Sequence, residues 1–303
     1  MKTILCAGGG SKIGFIAGVL NQLAKAGTPV DSLDGVSAGA ISVASVAHAP
    51  DFLTGTETLI KMLDSINQNS DVYVPKDSNV FGLPLNMVAD LTLGHGCGIF
   101  NNSPLWNKIK TEIPEVNPWC KVGVVRTSLR TGLPQRVVRD ISGGITYSTL
   151  ERAATEVTGW LGYLWAVLSS TSIEIVWDLV FGLWGDGGNT CVTPVQYALD
   201  DGATDIIIIL TGPFEQGMPP LANPPGPAWD TLMRAAEFEL QNLFWKDLQI
   251  ALASDAALTV YAPLMDLGDP LSFNGAKIKS QIALGQAAVP VFTRPAKIAP
   301  PAV

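Results

Sequence analysis

The chain carries residues that could together perform acyl transfer. Ser37 lies in the motif Gly-Val-Ser-Ala-Gly at positions 35–39, three glycines occupy positions 8–10, and Asp186 is followed by two more glycines. A serine hydroxyl is a weak nucleophile at neutral pH, so it needs a base to take its proton and donors to stabilise the oxyanion that forms. The three segments supply a candidate for each part and predict a serine acyl hydrolase.

The residues that flank Ser37 favour a nucleophile elbow, a sharp turn between a strand and a helix that exposes the hydroxyl. Residues 32–35 are typical of a short strand, and residues 38–47 are typical of a helix built from small side chains. The N-terminus of such a helix supports developing negative charge. A serine that caps a helix in a tight turn is the alternative for the motif taken alone.

Gly8, Gly9 and Gly10 follow a predicted strand over residues 3–7 and precede a predicted helix. Bare backbone amides in such a loop can point into a common cavity, so they are candidates for the oxyanion hole. The same glycines together with Gly14 also fit a dinucleotide-binding fingerprint, whose ribose-binding acid follows about twenty residues later. That alternative leaves unexplained the serine motif that occupies the place expected for the acid.

The two histidines decide between two kinds of hydrolase. In the α/β-hydrolase triad, serine, acid and histidine follow one another along the chain. His48 and His95 both precede Asp186, so neither fits that order. We expect His48 at a helix end and His95 in a loop, which leaves a Ser37–Asp186 dyad. Taken singly, Asp186 is equally consistent with an ordinary turn aspartate.

The composition is that of a globular protein and argues against some partners. Hydrophobic residues make up 47% of the 303 positions and charged residues 15%, so the chain can bury a core. A net charge of −8 argues against a nucleic-acid partner, because phosphate binding needs clustered Lys and Arg. The same charge disfavours electrostatic docking on anionic lipid. Any peripheral membrane contact would therefore use apolar side chains.

Cysteine usage and the N-terminal segment favour the cytoplasm. The four cysteines, at positions 6, 97, 120 and 191, form no Cys-x-x-Cys pair, so we expect buried free thiols in a reducing compartment and no metal site. The apolar run before the first glycines is too short for a signal peptide, although signal-independent export stays open. Glu174 and Asp178 interrupt the most hydrophobic window, so no membrane span is expected there.

Strands alternate with helices along the chain, which predicts an α/β fold with a mainly parallel central sheet flanked by helices on both faces. We expect one domain over residues 1–303. Residues 67–102, rich in Gly, Pro, Asn and Asp, are predicted to form a cap or excursion, and residues 290–303 a loose Pro-rich tail. A helix is expected from residue 148 and a short strand over residues 181–184.

The order of these segments resembles that of the patatin-like phospholipase family, whose members are lipid acyl hydrolases with a Ser–Asp dyad. The resemblance covers most of residues 1–212 and rests on four segments in a fixed order. They are the glycine loop and the helix after it (Gly8-Gly9-Gly10-Ser11-Lys12, then Gly18, Val19, Leu20 and Gly27), the elbow over 35–40, the stretch over 168–173, and Asp186-Gly187-Gly188 with Asn189 and Thr193-Pro194-Val195.

The resemblance implies a patatin-like three-layer sandwich, with Ser37 and Asp186 as the catalytic pair and the three loop amides as the oxyanion hole. It implies fatty-acyl ester substrates, such as phospholipids, lysophospholipids or glycerides, and no metal or organic cofactor. An acyltransferase with the same dyad and a catalytically silent lipid-binding module stay open as alternatives. Aromatic and aliphatic residues crowd positions 160–184, where they either line an acyl channel or belong to the core.

Overall fold

The computed structural model of the protein describes residues 1–75, 100–153, 155–173, 176–214 and 228–297, without the side chains of residues 228–237. The strands are β1 (Lys2–Cys6), β2 (Ser32–Val36), β3 (Val74–Pro75), β4 (Phe100–Asn101), β5 (Lys121–Ser128), β6 (Pro134–Arg139), β7 (Ile145–Tyr147), β8 (Trp184–Asp186), β9 (Asp205–Ile209), β10 (Ala257–Tyr261) and β11 (Phe292–Arg294). The helices are α1 (Ile13–Lys25), α2 (Ala38–Ala47), α3 (Phe52–Asp64), α4 (Ser103–Glu112), α5 (Gly159–Ser170), α6 (Val195–Asp200), α7 (Ala228–Ala253) and α8 (Gly275–Gln286).

The central sheet contains nine strands within the described residues. Its order is β11-β10-β9-β1-β2-β5-β6-β7, with β8 paired to β5. The strands from β10 to β5 run parallel, whereas β6, β7, β8 and β11 are antiparallel to their neighbours. The mainly parallel α/β sheet predicted from the sequence is therefore confirmed. The carboxyl ends of the parallel strands meet at one edge of the sheet, where α/β proteins bind their ligands.

Helices cover both faces of the sheet because successive side chains of each central strand point to opposite faces. In β1, Ile4 packs into the core that includes α1, α2, α3 and α8, whereas Leu5 packs into the core that includes α6 and α7. In β9, Ile207 and Ile206 divide between the same two cores. All four side chains are buried, and each such burial stabilises the fold by about 1.5–3 kcal/mol.

A buried ion pair ties β2 to β6 near the predicted elbow. Arg136 Nε and Nη2 donate to Oδ1 and Oδ2 of Asp34 at 2.7 and 2.8 Å, and Arg136 Nη1 donates to Asp201 Oδ2 at 2.5 Å. Burial raises the pKa of Asp34, and the adjacent guanidinium opposes that rise. Gly123 of β5 leaves room for the pair, since a side chain there would overlap Asp34 Oδ1. This bidentate contact fixes β2 just before Ser37.

Two predicted elements differ from the structure. We expected a helix from residue 148, but the edge strand β7 ends just before it and α5 begins only at Gly159. The strand forms because its backbone pairs with β6. We also expected a strand over residues 181–184. Phe181 and Gly182 instead have positive φ angles of 55° and 65° and make a tight turn, so β8 starts after them.

The predicted excursion over 67–102 lies mostly outside the described residues, because 76–99 are among those not described. Its described ends form the antiparallel strands β3 and β4, which bring the two ends of the segment together. The predicted loose tail over 290–303 was wrong in its first part, which forms β11 against β10. Arg294 of that strand donates to four backbone carbonyls at and just after the end of α7, at 2.5–3.1 Å. Residues 298–303 lie outside the described residues.

Candidate active site

Ser37 lies on a strained turn between β2 and α2. Its backbone angles are φ 54° and ψ −123°, a conformation that residues other than glycine rarely adopt. The flanking glycines are sterically required. A side chain on Gly35 would overlap the Gly39 carbonyl oxygen, and one on Gly39 would overlap the Cys6 carbonyl oxygen. The turn therefore has the geometry of the predicted nucleophile elbow and holds the serine at the carboxyl edge of the sheet.

Strand pairing on β5 brings the end of β8, at Asp186, beside the end of β2, which leads into Ser37. Val36, the last residue of β2, lies opposite Val125, and Asp186, the last residue of β8, lies opposite the next residue, Arg126. At these positions β6 pairs with the other side of β5. β8 and β2 therefore lie on the same side of β5, end to end, and run in opposite directions. Adjacent strand positions are about 3.3 Å apart. Asp186 and Val36, the residue before Ser37, therefore pair with neighbouring positions of one strand.

The turn that follows Asp186 holds its carboxylate. Oδ1 of Asp186 accepts a hydrogen bond from the Gly188 amide at 2.7 Å, and the Asp186 amide donates to the Ser172 carbonyl at 2.9 Å. A side chain on Gly187 would overlap a backbone carbonyl of β5, so glycine permits the turn to pass close to that strand. Asp186 and Ser37 are each 6% exposed. Both side chains are therefore largely shielded from bulk water.

A buried ion pair and its neighbours hold β8 in place. The guanidinium of Arg126, which lies opposite Asp186, stacks 3.7 Å from the centre of the Trp184 ring. Glu156 accepts hydrogen bonds from Arg126 Nη2 at 2.5 Å and from Trp184 Nε1 at 3.1 Å. Gln135 Oε1 accepts from Arg126 Nε and Nη2 at 2.9 and 2.6 Å. These contacts hold the strand that ends in Asp186 in a single register.

A hydroxyl from α5 links the elbow to β5. Ser170 Oγ accepts a hydrogen bond from the Ser37 amide at 2.9 Å and donates one to the Val125 carbonyl. That amide and that carbonyl would pair directly if the ladder between β2 and β5 continued by one residue. Ser170 is fully buried. Its hydroxyl therefore satisfies both backbone groups where the chain leaves the sheet.

The glycine loop passes beside Ser37. A methyl group on Gly8 would lie 3.0 Å from Ser37 Cβ and 3.7 Å from Ser37 Oγ. Gly10 has a φ of 54°, and a side chain there would overlap the Pro270 carbonyl. Within the described part of the chain, the amides of Gly8, Gly9 and Gly10 donate to no other protein group. The loop, with Gly8 against the serine, therefore carries backbone amides that have no acceptor among the described residues.

A narrow apolar cavity opens at Ser37. It encloses about 40 Å³, and among the described residues that line it all are hydrophobic except Gly10, Ser37, Lys108 and Thr171. The hydrophobic walls come from α1, α2, α3, α4 and neighbouring loops, and consist of Ile13, Ala38, Ile41, Met62, Leu63, Ile66, Val72, Leu105, Ile109, Trp177 and Phe273. Such a mostly hydrophobic lining accommodates alkyl chains.

A family model described as patatin-like phospholipase matches residues 4–206, which include the glycine loop, the elbow and Asp186. The chain belongs to the patatin-like phospholipase family. The family resemblance stated from the sequence motifs is thereby confirmed, as is the patatin-like α/β architecture with helices on both faces of the sheet.

Comparison with individual proteins adds little to the family assignment. Among solved structures, VipD from Legionella pneumophila matches this patatin-like protein with a TM-score of 0.43 and 12% sequence identity, over 94% of this chain and 65% of VipD. The chain thus spans just under two thirds of the length of VipD. No curated protein matches the sequence.

His48 of the patatin-like domain lies at a helix end, as predicted, and far from Ser37. It follows α2, whose ten residues extend about 15 Å from the elbow. His48 Nδ1 lies 2.8 Å from the Ala44 carbonyl oxygen, so Nδ1 carries the donated proton. The ring centroids of Trp160 and Tyr163 lie 5.0 and 5.3 Å from that of His48. Burial lowers the pKa of His48 to about 4, so this histidine is a neutral core residue.

The other candidate groups that the structure describes do not join the site. His95 and Cys97 lie outside the described residues. Cys6, Cys120 and Cys191 are buried free thiols, as predicted, and burial raises the pKa of each. Among the described residues, no three His, Cys, Asp or Glu side chains are grouped so that they could hold a metal ion. No helix in the described ranges is long and apolar enough to cross a bilayer.

Sequence reasoning missed two side chains that shape the site. Ser170 appeared only as part of a Ser-rich stretch, and Thr211, which contacts the glycine loop, was not singled out. Both act on backbone atoms of residues that are remote in the chain. No local motif marks such contacts, although Ser170 lies in a polar stretch over residues 169–172 within an apolar segment.

Proposed function

We propose that this protein is a lipid acyl hydrolase that uses Ser37 as nucleophile and Asp186 as base. The observation that carries the proposal is that the strained elbow serine lines an apolar cavity, and the pairing of Val36 and Asp186 with neighbouring residues of β5 supports a dyad there. Membership in the patatin-like phospholipase family supports the same chemistry. Phospholipids, lysophospholipids and glycerides all carry the fatty-acyl ester that such a site would cleave.

In the first half-reaction, Ser37 Oγ attacks the ester carbonyl carbon while Asp186 takes the hydroxyl proton. The tetrahedral intermediate collapses, the alcohol leaves with the proton from Asp186, and the acyl group stays on Ser37. In the second half-reaction, Asp186 takes a proton from water, the resulting hydroxide attacks the acyl carbon, and the fatty acid leaves as Ser37 regains its proton. Each half-reaction returns the aspartate to its starting state.

The amides of Gly8, Gly9 and Gly10 are the proposed donors to the oxyanion. Each such donor contributes on the order of 3 kcal/mol to acyl transfer, because it is already oriented before charge develops. Their lack of other acceptors within the described residues supports this role. The N-terminus of α2, which begins directly after Ser37, adds a favourable dipole for the same negative charge.

The apolar cavity is the proposed acyl site, and its size limits the acyl chain. A volume of about 40 Å³ is small, since one water needs roughly 10–15 Å³ by the same measure. Short acyl chains fit the cavity as it stands, whereas long chains need its walls on α3 and α4 to move apart. We therefore expect the protein to cleave soluble short-chain esters without any widening of the cavity.

Apolar side chains beside the site are proposed to contact the lipid surface. The loop between β10 and α8 carries Leu264 and Met265, which are 85% and 65% exposed. The same loop contacts the glycine loop, because the Ser11 amide donates to the Pro270 carbonyl at 2.7 Å. Phe273 of the same loop lines the apolar cavity, so two large exposed hydrophobic side chains on this loop suit insertion into the interfacial layer of a bilayer or micelle.

A chain-length series tests this function. Hydrolysis of nitrophenyl esters from acetate to palmitate, and of phospholipids and monoacylglycerols, would be measured for the wild type and for Ser37→Ala. We expect the wild type to release free fatty acid from several substrates and Ser37→Ala to lose at least about a thousand-fold in kcat. Wild-type turnover by folded Ser37→Ala would refute the proposal.

A further inference from the structure

Thr211 contacts the glycine loop from the side opposite Ser37. It follows β9, and its hydroxyl donates a hydrogen bond to the Gly8 carbonyl oxygen. The residue is 8% exposed and packs directly on Gly9. A methyl group on Gly9 would lie 2.6 Å from Thr211 Cβ and 2.8 Å from its Cγ2. The side chain therefore both donates to one glycine and occupies the space beside the next.

This contact sets the direction of the Gly9 amide. The Gly8–Gly9 peptide is trans, so its carbonyl and its N–H point in opposite directions across the peptide plane. In the sheet, β1 lies between β9 and β2. A Gly8 carbonyl turned toward Thr211, at the end of β9, directs the Gly9 N–H toward the side on which β2 and Ser37 lie.

The neighbouring peptide is oriented by the main chain instead. The Gly9 carbonyl accepts a hydrogen bond from the Lys12 amide at 3.0 Å, within the turn that leads into α1. Among the described residues, the Gly8 carbonyl has no donor other than the Thr211 hydroxyl. The orientation of the Gly9 amide thus depends on one side chain, whereas that of the Gly10 amide depends on the helix start.

We propose that Thr211 is a positioning residue for the oxyanion hole, and this inference rests on the function proposed above. Its hydroxyl holds the Gly8–Gly9 peptide so that the Gly9 N–H faces the ester oxygen as that oxygen becomes negative. Without the hydroxyl, glycine at both positions leaves this peptide free to rotate. A donor that acts on the developing charge affects kcat, whereas substrate binding, and with it KM, is unaffected.

A comparison of four side chains at position 211 separates the effect of the hydroxyl from the effect of side-chain volume. Thr211→Val keeps the shape and removes the donor, Thr211→Ser keeps the donor and removes a methyl group, and Thr211→Ala removes both. With nitrophenyl butyrate, we expect Thr211→Ser to stay within about three-fold of wild-type kcat and the other two variants to lose at least about ten-fold at unchanged KM. If Thr211→Val retains wild-type kcat, or exceeds Thr211→Ser, the proposal is overturned.

The test does not depend on whether Thr211→Val folds, because Thr211→Ser and Thr211→Ala also differ by one hydroxyl. If Thr211→Val does not fold, the kcat of Thr211→Ser relative to Thr211→Ala gives the same comparison at smaller volume, and equal values overturn the proposal. A second readout is the rate of inactivation by a fluorophosphonate, which forms a tetrahedral adduct in the same hole. We expect the variants that keep the hydroxyl, wild type and Thr211→Ser, to be inactivated faster than Thr211→Val and Thr211→Ala. Equal inactivation rates in all four proteins would contradict the proposed role of Thr211.

Ser37→Ala, measured in the same assay, shows whether a failed prediction concerns the role of Thr211 or the proposed function. An inactive Ser37→Ala beside a fully active Thr211→Val would overturn the role of Thr211 alone. A fully active Ser37→Ala would overturn the proposed function itself.

Discussion

The amide of Ser37 donates to the hydroxyl of Ser170 at 2.9 Å, so the elbow is held by a helix that lies far along the chain. The same hydroxyl donates to the Val125 carbonyl of β5, next to the position that pairs with Asp186 in the sheet. One buried side chain therefore joins the turn that carries the proposed nucleophile to β5, the strand with which Asp186 pairs. The spacing of the proposed dyad depends on it.

Removing the Ser170 hydroxyl is predicted to weaken both stability and turnover. Ser170→Ala leaves a buried N–H and a buried carbonyl unpaired, which costs about 1–3 kcal/mol. We expect lower stability in urea and a several-fold drop in kcat because the elbow can shift. Ser169→Ala is the matched control, since Ser169 is also buried but its hydroxyl donates to the Trp165 carbonyl of its own helix. Equal effects of the two substitutions would show that the contact with Ser37 is not special.

The strain at Ser37 is predicted to be measurable apart from catalysis. Ser37→Gly and Ser37→Ala both remove the hydroxyl, but only glycine adopts positive φ without steric cost. We expect Ser37→Gly to be more stable than Ser37→Ala by about 1 kcal/mol, measured by urea denaturation. If Ser37→Ala is the more stable of the two, the elbow is not strained in solution.

The local geometry of the site follows from the sequence, whereas the contacts that support it do not. The spacing of Gly35, Ser37 and Gly39 predicted the elbow because the steric demands of that turn are local. The contacts of Ser170 and Thr211 join residues 133 and 203 positions apart, so no window of sequence contains them. Their partners are also backbone atoms, which every residue possesses and which no residue type marks.

The sheet shows the same division between local and tertiary causes. Its parallel core was predictable because an unbroken apolar run such as β9 fits a strand covered on both faces. The edge strands β7 and β11 were not predicted, and a loose tail was expected over the residues that form β11. Each of these strands forms by pairing with a neighbour that the sequence does not identify, so tertiary pairing overrides the local pattern.

His48 is predicted to make stability fall in mild acid. Its pKa of about 4 in the folded state lies below the ordinary value of 6.5, so the unfolded chain binds more protons between these values. Stability therefore falls as pH decreases through this window, by about 2 kcal/mol at pH 5 from this group. We expect His48→Gln to lose less stability than the wild type between pH 7.5 and pH 5 in urea titrations. Parallel losses for the two proteins would contradict the buried neutral imidazole.

His48→Gln also tests the absence of histidine from the reaction. Because His48 lies about 15 Å from the elbow, the variant should keep most of the esterase activity at pH 8. A large loss of kcat in a folded His48→Gln protein would contradict the two-residue mechanism.

The loop that carries Leu264 and Met265 is predicted to matter only at a lipid surface. Replacing both with serine removes apolar surface that could insert, so activity on phospholipid vesicles should fall about ten-fold or more. Hydrolysis of soluble nitrophenyl acetate should not change. Ile141→Ser is the control, because Ile141 is 66% exposed but lies on the turn after β6, at the opposite edge of the sheet. Unchanged hydrolysis of phospholipid vesicles by the double variant would rule out the proposed contact of Leu264 and Met265 with lipid.

The most direct test of the central claim is to locate and time the covalent adduct. A fluorophosphonate would be added to wild type, Ser37→Ala and Asp186→Asn, and the modified peptide identified by mass spectrometry. We predict a single adduct on Ser37 in the wild type, none in Ser37→Ala, and labelling at least about a hundred-fold slower in Asp186→Asn because the hydroxyl has lost its base. An adduct on another residue, or wild-type labelling in folded Asp186→Asn, would contradict the Ser37–Asp186 dyad.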